Sequence, residues 1–139
     1  MNLQTFLVGS WKVQRLILDR ACGLNGRLDG HATFAPSSVD GLSYKERGRL
    51  LFGKHEGWAE QSYLYDFSQS EGRASVRFSD RRLFHHLDLS AGLQRVQHSC
   101  DPDRYDGLIV AVGPTEWWSM WKVAGPRKDY ELTTIYTRG

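Results

Sequence analysis

Only two cysteines, Cys22 and Cys100, occur in the 139 residues. One bridge is a poor framework for a chain of this length, and a reducing compartment keeps such a pair as thiols. No apolar run approaches the roughly 18 residues that a membrane-spanning helix needs. The opening Met1-Asn2-Leu3-Gln4-Thr5-Phe6 has no basic stretch followed by an apolar one. The expectation is therefore a cytoplasmic protein with no membrane partner. Net charge is only +2, and basic residues alternate with acidic ones, so no nucleic-acid partner is expected. Also missing are a P-loop, a G-x-G-x-x-G on a strand–helix unit, a G-x-S-x-G and a helix–turn–helix pattern, which excludes the nucleotide-fold enzymes. Without H-E-x-x-H or C-x-x-C spacing, no metal and no cofactor is expected.

What is present is aromatic and punctuated by glycine. Trp, Tyr and Phe make up 12% of the chain, alongside 14 glycines. Short runs rich in β-branched and aromatic residues lie between Gly and Pro positions, which is the pattern of a strand meander. The spacing predicts ten strands near residues 9–19, 26–34, 42–51, 60–67, 73–80, 84–89, 93–100, 105–112, 116–123 and 130–137. A short helical turn over residues 2–7 is the one helix allowed. That many short strands close on themselves, because an open sheet leaves long reactive edges. The expected fold is all-β, an antiparallel up-and-down barrel spanning residues 1–139 as a single domain, with the first and last strands paired. A two-sheet sandwich is the alternative.

Alternation along each strand assigns the faces. Trp11, Val13 and Arg15 share one face, which is placed inside so that Trp11 plugs a barrel end. Lys45, Arg47 and Arg49 belong in solvent, which sends Tyr44 and Glu46 inward. Tyr63 and Tyr65 follow, although Trp58 and Leu64 on the opposite face blur that strand. His85 travels with Leu87 and Leu89, His98 with Val96 and Cys100, Trp117 with Ser119 and Trp121, and Tyr136 with Thr134. Buried charges are unfavourable unless paired or used, so this interior reads as a solvated cavity with convergent polar groups.

Several stretches then carry a resemblance over nearly the whole chain. They include Gly9-Ser10-Trp11 with Arg15, Gly30-His31-Ala32-Thr33-Phe34, Tyr44-Lys45-Glu46-Arg47-Gly48, Phe78-Ser79-Asp80 and His98-Ser99-Cys100-Asp101-Pro102. The most distinctive is Gly125-Pro126-Arg127-Lys128-Asp129-Tyr130. Gly9-Ser10-Trp11 looks like the G-x-W that opens lipocalin and related calycin barrels. The chain resembles the family catalogued as domain of unknown function 6314, largely from bacteria. The resemblance implies a lipocalin-like barrel and no established activity. Fatty-acid-binding proteins use an R-x-Y in the last strand for a carboxylate. Tyr136 and Arg138 stand in the reverse order here, and that role is not carried over.

Three functions fit these residues. The first is a binding protein for an anionic or carboxylate-bearing small molecule. Arg15, His85, His98 and Tyr136 would make polar contacts, Tyr65, Trp117 and Trp121 apolar walls, and Arg127 and Lys128 an anion-attracting mouth. The second is a cofactor-free lyase or isomerase in which Glu46 or His85 moves the proton and Arg15 holds the substrate. Phenolic-acid decarboxylases place Arg, Glu and Tyr in a small calycin barrel, an analogy of fold. The third is an interaction module, such as a homodimer, using an exposed Trp118–Met120 pair. Each set has a plainer reading: a structural Arg15–Glu46 pair, hydrogen-bonded interior histidines, a solvated turn at Arg127-Lys128. His85, His98 and Cys100 are candidate metal ligands, against the alternative of a small buried cysteine.

Overall fold

The computed structural model describes residues 2–70 and 72–139. A helical turn α1 (Leu3–Leu7) precedes ten strands: β1 (Gly9–Asp19), β2 (Leu24–Ser38), β3 (Gly41–Phe52), β4 (His55–Asp66), β5 (Arg73–Phe78), β6 (Leu83–Asp88), β7 (Leu93–Cys100), β8 (Asp103–Gly113), β9 (Glu116–Ala124) and β10 (Asp129–Thr137). All pairings are antiparallel, in the order β6-β5-β4-β3-β2-β1-β10-β9-β8-β7. The first and last strands do pair, from Lys12 opposite Thr137 to Asp19 opposite Tyr130. The gap in the barrel falls elsewhere, between β6 and β7. These two strands share the turn at Leu89–Gly92, where the Gly92 amide donates to the Leu89 carbonyl, yet they form no ladder with each other.

One end is sealed by α1. Five residues cannot hold a helix by backbone bonds alone. The Asn2 side chain caps it by accepting from the Thr5 amide at 3.0 Å, and Leu3 and Leu7 are fully buried. The indole of Trp11 donates to the Leu7 carbonyl at 2.8 Å. Arg138 donates to the carbonyls of Val8 and Phe6, and its guanidinium lies 3.9 Å from the Trp11 ring centroid. The arginine that follows the last strand therefore closes the barrel end, where backbone carbonyls left over from a short helix need donors.

Alternation places Trp11, Val13, Tyr44, Glu46, Trp117, Ser119, Thr134 and Tyr136 inside, as expected, and Leu28, Ala32, Phe34 and Val123 are buried with them. It fails at β6. The β5–β6 register slips between Val76 and Arg77, which pair with His85 and Leu83, so Phe84 is the extra residue of a bulge. Phe84, expected on the outside with His86, instead lies against the interior ring of Trp121 at 4.9 Å, beside buried His85.

Candidate functional site

A cavity of about 620 Å³ occupies the barrel. Strand register divides its wall into two zones. In the middle of β1, β3 and β10 lies a locked polar cluster. The Arg15 guanidinium grips Glu46 with two bonds of 2.7 Å, and its Nε donates to the Thr134 hydroxyl at 2.8 Å. The Tyr44 hydroxyl donates to Glu46 Oε1 at 2.5 Å and lies 3.1 Å from the Tyr136 hydroxyl. The Tyr136 ring is in turn stacked on Trp117, with centroids 3.8 Å apart and planes 2° off parallel. Burial alone would lower the Arg15 pKa, but the hydrogen bonds it donates to Glu46 and the surrounding charges outweigh it, so the guanidinium stays protonated. Burial raises the pKa of the Tyr44, Tyr65 and Tyr136 hydroxyls, which remain protonated donors.

Toward the end away from α1 the wall is a set of ring faces. Phe84 stacks on Phe78 at 4.7 Å and 19°, and on Trp121 at 4.9 Å and 23°. His98 meets Phe84 edge-on at 5.3 Å and Tyr105 at 5.8 Å. Gly107 stands opposite Trp121, and a Cβ there would sit 2.6 Å from the indole ring. That missing side chain lets the Trp121 ring lie against the neighbouring strand. Arg82 and Leu83 on one side, and His98, Ser99 and Cys100 on the other, line the cavity across the β6–β7 gap.

His85 lies between the zones. It is buried, and its Nδ1 is 2.9 Å from the His86 carbonyl. Burial pushes its pKa down to about 4, the bond to the His86 carbonyl opposes this, and the charges of His86 and His98 act with burial.

The structure thus brings Arg15, Tyr65, His85, His98, Trp117, Trp121 and Tyr136 to one cavity wall. Other expectations need correction. Glu46 is not on that wall; it sits behind Arg15 and Tyr44 with both oxygens occupied, a poor place for a proton-transfer residue. Lys128 is paired with Asp103 at 2.9 Å and Arg127 is exposed on the turn, so neither lines the cavity. Cys100 is exposed at the rim rather than buried with His98. Among the described residues no three His, Cys, Asp or Glu side chains gather as metal ligands, so His85, His98 and Cys100 are not a metal set. Trp118 and Met120 are half-buried, and the Trp118 indole donates to Glu116 at 2.7 Å, so they are not the exposed pair expected for a homodimer contact. Tyr63, Phe78, Phe84 and Tyr105 also line the site without having been singled out for it. Period-two alternation already turned Tyr63 inward. The bulge hid Phe84.

Fold and site together define a nearly closed ten-stranded up-and-down β-barrel with a ring-lined interior cavity. The chain belongs to the family of unknown function DUF6314, whose model matches residues 7–138. No curated protein matches it in sequence. Among solved structures it is similar to the S-type phycobiliprotein lyase CPES of Guillardia theta, at 11% identity and a TM-score of 0.71, covering 100% of this chain and 93% of that one. It is also similar to a redesigned β-barrel, mFAP1, bound to DFHBI, at 15% identity and a TM-score of 0.52, over 99% and 100% of the two chains. A de novo designed fluorescence-activating barrel matches at 13% identity and a TM-score of 0.52, over 100% and 99%. At these identities the likeness is one of fold.

Proposed function

We propose that the protein binds a small organic molecule inside the barrel. The observation that carries this is the cavity of about 620 Å³, within the range of small-molecule sites, walled by aromatic rings and a few polar groups. A chain selected only for a packed core would fill that volume, since cavities are destabilising. Barrels of the same fold support the reading: one is a phycobiliprotein lyase and another holds DFHBI. The expected carboxylate ligand fits less well than the expected cavity. Arg15 was to bind it, and Arg15 already has its counter-charge in Glu46. The lyase or isomerase reading loses its Glu46 for the same reason.

Pyrene tests the reading, because its emission bands report the polarity around it and it accepts energy from tryptophan. Saturable one-to-one binding is expected. It should be lost in Ser119→Phe, which fills the cavity from β9 where Ser119 is buried on the wall, while the variant still unfolds cooperatively. Emission that rises linearly without saturation, unchanged by Ser119→Phe, would rule out a built site.

A further inference from the structure

Arg15, Glu46, Thr134, Tyr44 and Tyr136 are taken up by one another, and the unpartnered indole N–H of Trp117 beside them is closed off by burial; His85 is neither. A carbonyl oxygen only accepts, so the 2.9 Å contact with the His86 carbonyl fixes the hydrogen on Nδ1. The ring is neutral near pH 7, since its pKa is held down to about 4. Nε2 therefore carries a lone pair. No protein group among the described residues donates to it, and His85 belongs to the cavity wall. Flat surfaces flank it: Phe84 at 4.9 Å and Trp121 at 5.5 Å from the imidazole, with Phe84 and Trp121 stacked on each other. Among the described residues two charged side chains line the cavity, and each has its counter-charge: Arg15 in Glu46 and, at the rim, Arg82 in Asp80.

Building on the binding site proposed above, we infer that the cavity selects an uncharged, flat aromatic molecule that donates a hydrogen bond, from a phenol or ring N–H, to Nε2 of His85. A lone pair in a low-dielectric wall discriminates by what it lacks. A ligand of the same shape without a donor leaves it desolvated and unpaired, and an anion adds a second acceptor facing the first.

Three probes of one shape test this on the unaltered protein: hydroxypyrene, methoxypyrene and pyrenecarboxylate, titrated near pH 7. Hydroxypyrene should bind about tenfold more tightly than methoxypyrene, the factor that one hydrogen bond gives, and pyrenecarboxylate should bind more weakly than hydroxypyrene. In His85→Phe, which keeps a ring and removes the acceptor, the ratio of the first two should fall to about one. Equal affinities for hydroxypyrene and methoxypyrene in the native protein would overturn this inference and leave cavity binding standing. Tightest binding of pyrenecarboxylate would do the same and restore the carboxylate reading. Failure of all three, and of pyrene itself, to saturate would overturn both. Because the comparison among probes is made on the native chain, it does not depend on how well the variant folds.

Discussion

The two faces of β3 carry the same chemistry in different surroundings. Glu46 points inward and is held by Arg15 through paired bonds of 2.7 Å, with side chains only 11% and 2% exposed. Its neighbour Arg47 points outward to Glu60 at 3.2 Å, and Arg49, two residues on, reaches Glu56 at 2.5 Å; all four side chains are largely in water. Both outer guanidiniums lie over the exposed ring of Trp58, at 4.1 and 5.4 Å from its centroid. In water an Arg–Glu pair gains little, because solvent screens it and two long side chains must be ordered. Inside, each charge depends on the other, and the pair ties β1 to β3 while Thr134 adds β10. An ion pair of the same composition is thus a fold constraint on one face of a strand and a solvated decoration on the other.

The largest break in that symmetry comes from removing one inner partner. Arg15→Met leaves the Glu46 carboxylate buried without its counter-charge, and unfolding free energy should fall by about 3–5 kcal/mol. Adding Glu46→Leu to the same chain should restore most of the loss, since a well-packed apolar pair often matches a buried ion pair. Urea denaturation midpoints of the two variants decide it. A loss under about 1 kcal/mol for Arg15→Met would put the inner pair in the same class as the outer ones.

A smaller effect tests whether the ring-lined zone near the mouth is as dry as the Arg15 zone. The folded-state pKa of His85 is about 4, below the ordinary 6.5. Between those values the unfolded chain binds more protons than the folded one, so stability falls on acidification from pH 6.5 toward 4 and rises again with pH. A shift of this size corresponds to about 3 kcal/mol as an upper bound, because His85 retains some exposure to the cavity. His85→Phe should flatten that part of the stability curve. A native curve with no slope there would mean that water reaches the imidazole freely.

How much of this was legible in the sequence follows from which forces act locally. Gly9 through Asp19 and Leu93 through Cys100 are strands at their predicted bounds, because alternation and turn residues fix them. β4 begins at His55, five residues before the expected start at residue 60, because Gly57 read as a turn signal and is instead a strand glycine opposite Leu50. Arg15 and Glu46 were readable as an inward pair from alternation and from the cations flanking Glu46. That Tyr44 completes the cluster follows from the same period, but that the cluster is closed to a ligand does not, since it depends on distances between β1, β3 and β10. Phe84 was not legible at all: a bulge is set by pairing with β5, and it reversed the face of one residue. Lys128 was misplaced for a similar reason, as its partner Asp103 is the first residue of another strand, β8.

The smallest expected effect lies on the outer face of β3 and β4. Trp58 is 58% exposed, large and apolar, and the guanidiniums of Arg47 and Arg49 cover part of its ring. Cation–π contacts at exposed sites contribute about 0.5–1 kcal/mol, and exposed ion pairs about 0.2–1 kcal/mol. Trp58→Ala should therefore lower stability by no more than about 1 kcal/mol, and pyrene binding should not change, because the ring lies on the opposite side of the sheet from the cavity. Raising the salt concentration should weaken the Arg47–Glu60 and Arg49–Glu56 pairs while leaving Arg15–Glu46 untouched, since screening acts through water. A loss of several kcal/mol in Trp58→Ala would show that the two arginines and two glutamates hold the β3–β4 ladder together through the ring. The contrast between the faces of β3 would then be one of degree, set by how completely an aromatic ring replaces water around the charges.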